Sequence, residues 1–152
     1  LVTAATWAPN HKRTWPWRFT VLAGGARSRF GDALAEAAAA CGAPPAKVAK
    51  QRVKYRRSPV VVLVWVRRDA DPVRRREDRD ATAAAVQNLL LVATAHQLAS
   101  YWASIADDLV PAARRVAGVG DDHDPVALVY LGWPTAAVPP PERPAPVVDR
   151  LS

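Results

Sequence analysis

The sequence predicts one domain in which a single β-sheet is covered by helices. Three observations carry this expectation. Strand-like and helix-like segments alternate along the chain, and such interleaving buries a sheet between helices. The chain has 152 residues, 50% of them apolar and 23% charged, which suits one globular unit with its own core. One segment, Val60 to Val66, is apolar at seven consecutive positions, as a strand covered on both faces must be.

The chain opens with Leu1, Ala4, Ala5 and Ala8 at one-face helical spacing. No capping residue or acidic first turn precedes them, so the stretch reads as the back half of a helix, ended by Pro9 and Asn10. Trp17 to Leu22 reads as a strand, and Gly24-Gly25 as the turn after it. Phe30, Ala33, Leu34, Ala37, Ala38 and Cys41 then recur at helical spacing, with Gly42 placed as the C-terminal cap and Pro44-Pro45 blocking continuation. On that stripe Cys41 is expected as a core thiol.

Ala46 to Arg57 reads as a second helix with Lys47, Lys50, Lys54 and Arg57 on one face. The plain reading is a solvated face, and the alternative is an anion-binding one. Pro59 leads into the apolar strand. Arg67 to Asp80, highly charged and containing Pro72, reads as a surface loop. Ala81 to Ala99 is the most apolar helix candidate, capped by Asp78 or Asp80. Val86, Leu89, Leu90, Val92 and Ala93 wrap most of its circumference, so it needs cover on most sides. It is expected either at the centre of the domain or against a second subunit.

Ser100 to Ser104 reads as a short strand or extended turn. Asp107 and Asp108 before Pro111 suit the first turn of a helix that carries Arg114 and Arg115 near its end and stops at Gly118. Gly120 to Pro125 is a polar turn, and Val126 to Leu131 a last buried strand. Prolines at 134, 139, 140, 141, 144 and 146 make the tail an extended arm. The domain is therefore drawn as 1–134, with 135–152 as its arm.

The net charge is +7. Between Lys47 and Arg79 lie 12 of the 21 basic residues and four acids, so that segment is +8 and the remainder is −1. Nucleic-acid binding through 47–79 is a possible use of such a segment, but its mixture of Arg and Asp and the lack of a nucleic-acid motif count against it. One cysteine excludes a disulfide framework. No basic start followed by an apolar core marks a signal peptide, and no apolar run reaches bilayer-spanning length, so a cytoplasmic chain is expected. His11, His96 and His123 have no metal-ligand spacing, and no metal site is expected. Neither a nucleophile elbow nor a nucleotide-binding glycine loop is present.

The unusual segment is Trp7 to Phe19, which places Trp7, Trp15 and Trp17 around His11, Lys12 and Arg13. The tryptophans could be core anchors, or they could form a cationic, aromatic surface for a flat anionic ligand. Ala8-Pro-Asn-His11 followed by Pro16-Trp-Arg-Phe19 resembles the hallmark of the FMN-dependent nitroreductase family, in its small single-domain branch. The resemblance continues in order through Tyr55 to Val62, Ala84 to Leu91, Ser100-Tyr-Trp102 and Val129 to Pro134.

The resemblance implies an α+β fold, a three-layer α-β-α sandwich whose central, mostly antiparallel sheet has helices on both faces. It also implies an intimate homodimer with FMN at the interface. The activity implied is reduction of the flavin by NAD(P)H, followed by reduction of a nitroaromatic, a quinone or a similar acceptor. The flavin carries that chemistry, so no catalytic side chain is expected. By position, Trp7 and His11 match residues reaching the flavin from the partner subunit. Trp102, Ala103 and Ser104 match a segment that touches FMN within the subunit. Val92, Ala93, Thr94, Ala95, His96 and Gln97 match a stretch linked to the nicotinamide cofactor, though plain core helix is the alternative there. The family carries an Arg-Arg-Ser type segment that grips the flavin phosphate, and this chain begins after that point. Ala103 and Trp7 stand where basic residues are usual, and Ile105 where glycine is. A protein that keeps the fold but binds a ligand or partner without catalysis is the rival expectation.

Overall fold

A computed structural model describes residues 1–151. Its elements are α1 (Val2–Ala5), β1 (Trp17–Ala23), α2 (Gly25–Ala40), α3 (Pro45–Lys54), β2 (Val60–Arg67), α4 (Pro72–Ala95), β3 (Ala99–Ala103), α5 (Val110–Ala117) and β4 (His123–Gly132), with single 3-10 turns at His11–Arg13 and Asp107–Leu109. The four strands form one sheet in the order β1-β2-β4-β3, and every neighbouring pair is antiparallel.

The sheet is the middle of three layers. Val61, Leu63 and Trp65 of β2 point to one face, where Phe30, Leu34 and Ala38 of α2 and Ala112 and Ala113 of α5 cover them. Val62 and Val64 point to the other face, under Ala5 of α1 and Ala85, Val86, Leu89 and Ala93 of α4. Strand geometry sends alternate side chains to opposite faces, so an unbroken apolar run is what a central strand needs. α3 packs on α2, and the crossing is close. A Cβ on Gly31 would meet the carbonyl oxygen of Arg52 at 2.5 Å, so only glycine fits there. Between β2 and β4 the register slips at Val64/Trp65, beside Pro125. Proline has no N–H to give the ladder, and a bulge absorbs the fault.

Four expectations need correction. Arg67 to Asp80 is not a loop: α4 begins at Pro72, with the Asp71 side chain accepting from the Val73 N–H at 2.9 Å. Asp71, rather than Asp78 or Asp80, is the cap, and Pro72 sits in the first turn, where its missing N–H costs nothing. The same helix ends at Ala95, so Ala99 belongs to β3. Cys41 is exposed. It lies at the C-cap of α2, after the helix has run past the layer it covers. Residues 133–151 are exposed and carry neither helix nor strand.

α4 is not wrapped by its own chain. Ala81, Ala85, Val86, Leu89 and Ala93 are buried, whereas Leu91 is 58% exposed on the outer side. No helix among the described residues is long and apolar enough to cross a membrane.

Candidate functional site

The expected site residues fall in three places. The first lies at the β3 edge. Tyr101 and Ala103 point to the face that carries α2 and α3, while Trp102, between them and paired with Val129, points to the α4 face. Ser104 follows the strand and is exposed. Beside Ala103 opens a pocket of about 440 Å³ lined by Lys50, Lys54, Arg57, Ser58, Tyr101, Ala103 and Tyr130. A smaller hollow of about 210 Å³ shares Arg57, Ser58, Tyr101 and Tyr130 and extends the pocket towards Trp133.

The floor of this pocket is aromatic. Tyr130 stacks on the buried Tyr55 with ring centroids 6.3 Å apart and planes 11° from parallel. Tyr101 lies 6.2 Å from Tyr130 on the other side, tilted by 35°. The Tyr55 hydroxyl donates to Gln51 Oε1 at 2.9 Å, which locks the base of the stack. Burial raises the pKa of both Tyr55 and Tyr130, so both phenols stay neutral at working pH.

The rim is cationic. Lys50, Lys54 and Arg57 make no ion pair among the described residues. Burial, and then the positive charges of Lys50, Arg57 and Lys47, lower the Lys54 pKa from its ordinary value. Its ammonium lies 4.9 Å from the centroid of the Tyr55 ring. Uncompensated cations above a tyrosine stack suit a flat molecule that carries negative charge. Lys47, Lys50 and Arg57 are exposed, as a solvated face requires, while Lys50, Lys54 and Arg57, the last of them just past α3, also line this pocket. The fold turns these cations towards the very segment expected to touch a flavin, and no spacing rule links positions 50–57 to 101–103.

The second place is the turn that follows α1. Trp7 is 83% and Trp15 58% exposed, so neither is the core anchor that one reading expected. Trp15 meets Trp17 edge-on at 5.8 Å and 62°. His11 Nδ1 pairs with Glu77 Oε2 at 2.9 Å. Lys12, Arg13 and Trp15 have φ values of +61°, +52° and +47°, a conformation that costs a residue with a side chain about 1 kcal/mol or more. Asn10 and Asp78 hold the turn by side-chain hydrogen bonds to Thr14 and to the Trp15 N–H.

The third place is the C-terminal end of α4. Of Val92, Ala93, Thr94, Ala95, His96 and Gln97, only Ala93 is buried, under the sheet, and Gln97 takes a φ of +60° to leave the helix. Fifteen residues of α4 separate Val92 from Glu77, about 22 Å along the axis, so one chain does not bring the second and third places together. No group of three or more His, Cys, Asp or Glu side chains able to hold a metal occurs among the described residues. His123 instead pairs with its neighbour Asp122 at 2.8 Å, and it opens β4, so the expected turn over Gly120 to Pro125 gives way to strand from His123 onward.

Comparison with known proteins agrees with this architecture. The family model for the nitroreductase family matches residues 1–133. The chain is 30% identical over 135 residues to the "Putative NAD(P)H nitroreductase YdjA" of Escherichia coli K12, covering 88% of this chain and 74% of that protein. The crystal structure of a nitroreductase-like family protein from Bacillus cereus superposes with a TM-score of 0.82 at 26% identity, over 95% of this chain and 76% of the other. The FMN-dependent nitroreductase NfnB of Mycobacterium smegmatis, solved in complex with NADPH, shares the fold at a TM-score of 0.68 and 18% identity, over 88% and 75% of the two chains. With its three layers, its four antiparallel strands and a family match spanning nearly all of its folded part, the chain belongs to the nitroreductase family.

Proposed function

We propose that this chain is an FMN-dependent NAD(P)H oxidoreductase whose flavin lies in the pocket between α3 and β3, at the interface of a homodimer. The observation that carries the reading is the pocket itself, lined by Lys50, Lys54 and Arg57, which have no ion pair among the described residues, and by Tyr101 and Tyr130, directly beside Ala103. The residues present fit the group. Lys50, Lys54 and Arg57 would hold its negative charge, and Tyr101 and Tyr130 would lie against its flat body. When bound, FMN supplies electron transfer from NAD(P)H to a nitroaromatic, a quinone or a similar acceptor. The chain's own part is to bind, to orient and to keep water off one side of the ring.

The homodimer is supported by the outer side of α4, where Leu91 is exposed, and by the exposed Trp7. A second copy seated there and reaching round the β3 edge to the pocket face would cover the apolar side chains and bring its Trp7 and His11 to the pocket. Ala103 and Ile105 leave the strand end without a local charge or a glycine, so the α3 cations take over the electrostatic work. A cytoplasmic setting suits the exposed single thiol Cys41, which an oxidising compartment would leave open to pairing.

Titrating the purified protein with FMN and following flavin fluorescence tests the reading. Saturable binding that weakens in Lys54→Gln supports it. A chain that takes up no FMN, or one in which Lys54→Gln binds it as tightly as the parent, contradicts it.

A further inference from the structure

Asp78 is a buried carboxylate, 2% exposed, in the interior of α4. It does not cap the helix, since Asp71 does that, and it forms no ion pair among the described residues. A buried acid is costly unless hydrogen bonds replace its water. All the side-chain bonds to its carboxylate come from one place, the turn between α1 and β1. The Thr14 hydroxyl donates to Asp78 Oδ1, and Asn10 Nδ2 donates to the same oxygen at 3.4 Å. Asn10 relays the contact: its Nδ2 also donates to Thr14 Oγ1 at 3.1 Å, and its Oδ1 accepts from the Trp15 N–H at 2.9 Å.

The same turn holds three non-glycine residues, Lys12, Arg13 and Trp15, at positive φ. A chain left to itself relaxes out of that region, so surrounding contacts must over-determine the conformation. A chain of hydrogen bonds runs from Asp78 through Asn10 to the Trp15 backbone, with Thr14 bonded to both. Glu77 adds a separate tether at His11, which is a surface pair and weak.

We propose that Asp78 is a positioning residue: its carboxylate holds the 10–15 turn in the left-handed form and so sets where Trp15 and His11 face. The hold on the turn stands on the hydrogen bonds alone. Its consequence for flavin binding rests on the proposed function, in which this turn meets the cofactor of a second copy.

The two are separable by experiment. Trp15 and Trp17, edge-on at 5.8 Å, give a coupled near-ultraviolet circular dichroism signal, identified as the band that Trp15→Phe abolishes. Asp78→Asn keeps an oxygen for both donors and should retain this band. Asp78→Ala should lose it while the far-ultraviolet helix signal stays. Thr14→Val removes the main donor from the turn, leaves α4 untouched, and should also lose the band, which keeps the test valid if Asp78→Ala folds poorly. Retention of the band in folded Asp78→Ala, or in Thr14→Val, overturns the proposal. FMN titration of the same proteins is the second readout, with binding expected to weaken about tenfold in Asp78→Ala and to recover in Asp78→Asn. A lost band with unchanged FMN affinity upholds the positioning role and contradicts the placement of this turn at the cofactor.

Discussion

On one face of the sheet, α2 and α5 close over Leu63, Trp65 and Leu128, with α3 packed on α2, and what stays open there is the pocket at the β3 edge. On the other face, α4 covers Val62, Val64 and Val129 with its inner side but leaves Leu91 exposed on its outer side, and the same layer carries the exposed Trp7 and Trp15. Both faces start from the same apolar strand. They differ because α2 and α5 present one apolar side each, whereas the second half of α4 is apolar on more sides than one sheet can cover. The outer side of α4, with Leu91 beside the exposed Trp7 layer, is therefore the side that a second copy would cover.

The largest effect separating the faces is expected in the core. Leu89→Ala, which hollows the α4 side under full burial, should lower unfolding free energy by about 2–5 kcal/mol in a denaturant melt. Leu91→Glu, two residues away on the outer side, should leave the stability of the isolated chain within about 0.5 kcal/mol and shift sedimentation from dimer to monomer. If Leu91→Glu unfolds the chain as Leu89→Ala does, the outer side is core and the contrast fails. On the α2 and α3 side, Lys54→Gln should weaken FMN binding roughly tenfold, the worth of one charge-assisted contact, with the melting temperature unchanged.

The smallest effect concerns pH. The Arg68 guanidinium bonded to Asp124 holds that carboxyl below its usual range. A depressed folded-state pKa contributes stability that is complete above the unfolded value of about 4 and is lost as the pH falls through the lower folded value. Asp124→Asn should therefore lower the melting temperature slightly at neutral pH, with the difference from the parent shrinking on acidification. A difference that grows in acid would contradict the pairing.

Much of the fold was legible in the sequence. The seven-residue apolar run required a strand covered on both faces, and Pro111 with Gly118 bounded α5, whose cap takes the left-handed φ of +63° expected of glycine. The first half of α4 was hidden because Arg74, Arg75, Arg76 and Arg79 interrupt any apolar periodicity. Asp71-Pro72 was the available signal, a capping acid followed by proline at the first helical position. Cys41 was misplaced because helical spacing says nothing of where the covering layer stops. The site was legible only in part. Ala103 is expected from the family resemblance, but Lys50, Lys54 and Arg57 meet it around one pocket because α3 rests on α2 at a place that no local pattern encodes, while Trp102 and Ser104 lie outside that lining. The exposure of Trp7 and Trp15 was equally unreadable, since tryptophan suits a core and an interface alike.

The proposed activity is tested most directly by anaerobic addition of NADH and of NADPH to the FMN-loaded protein, with the flavin absorbance followed in time. At least one of the two should bleach the flavin, and a nitroaromatic or a quinone should restore the colour. Flavin that stays bound and yellow with both donors would contradict it.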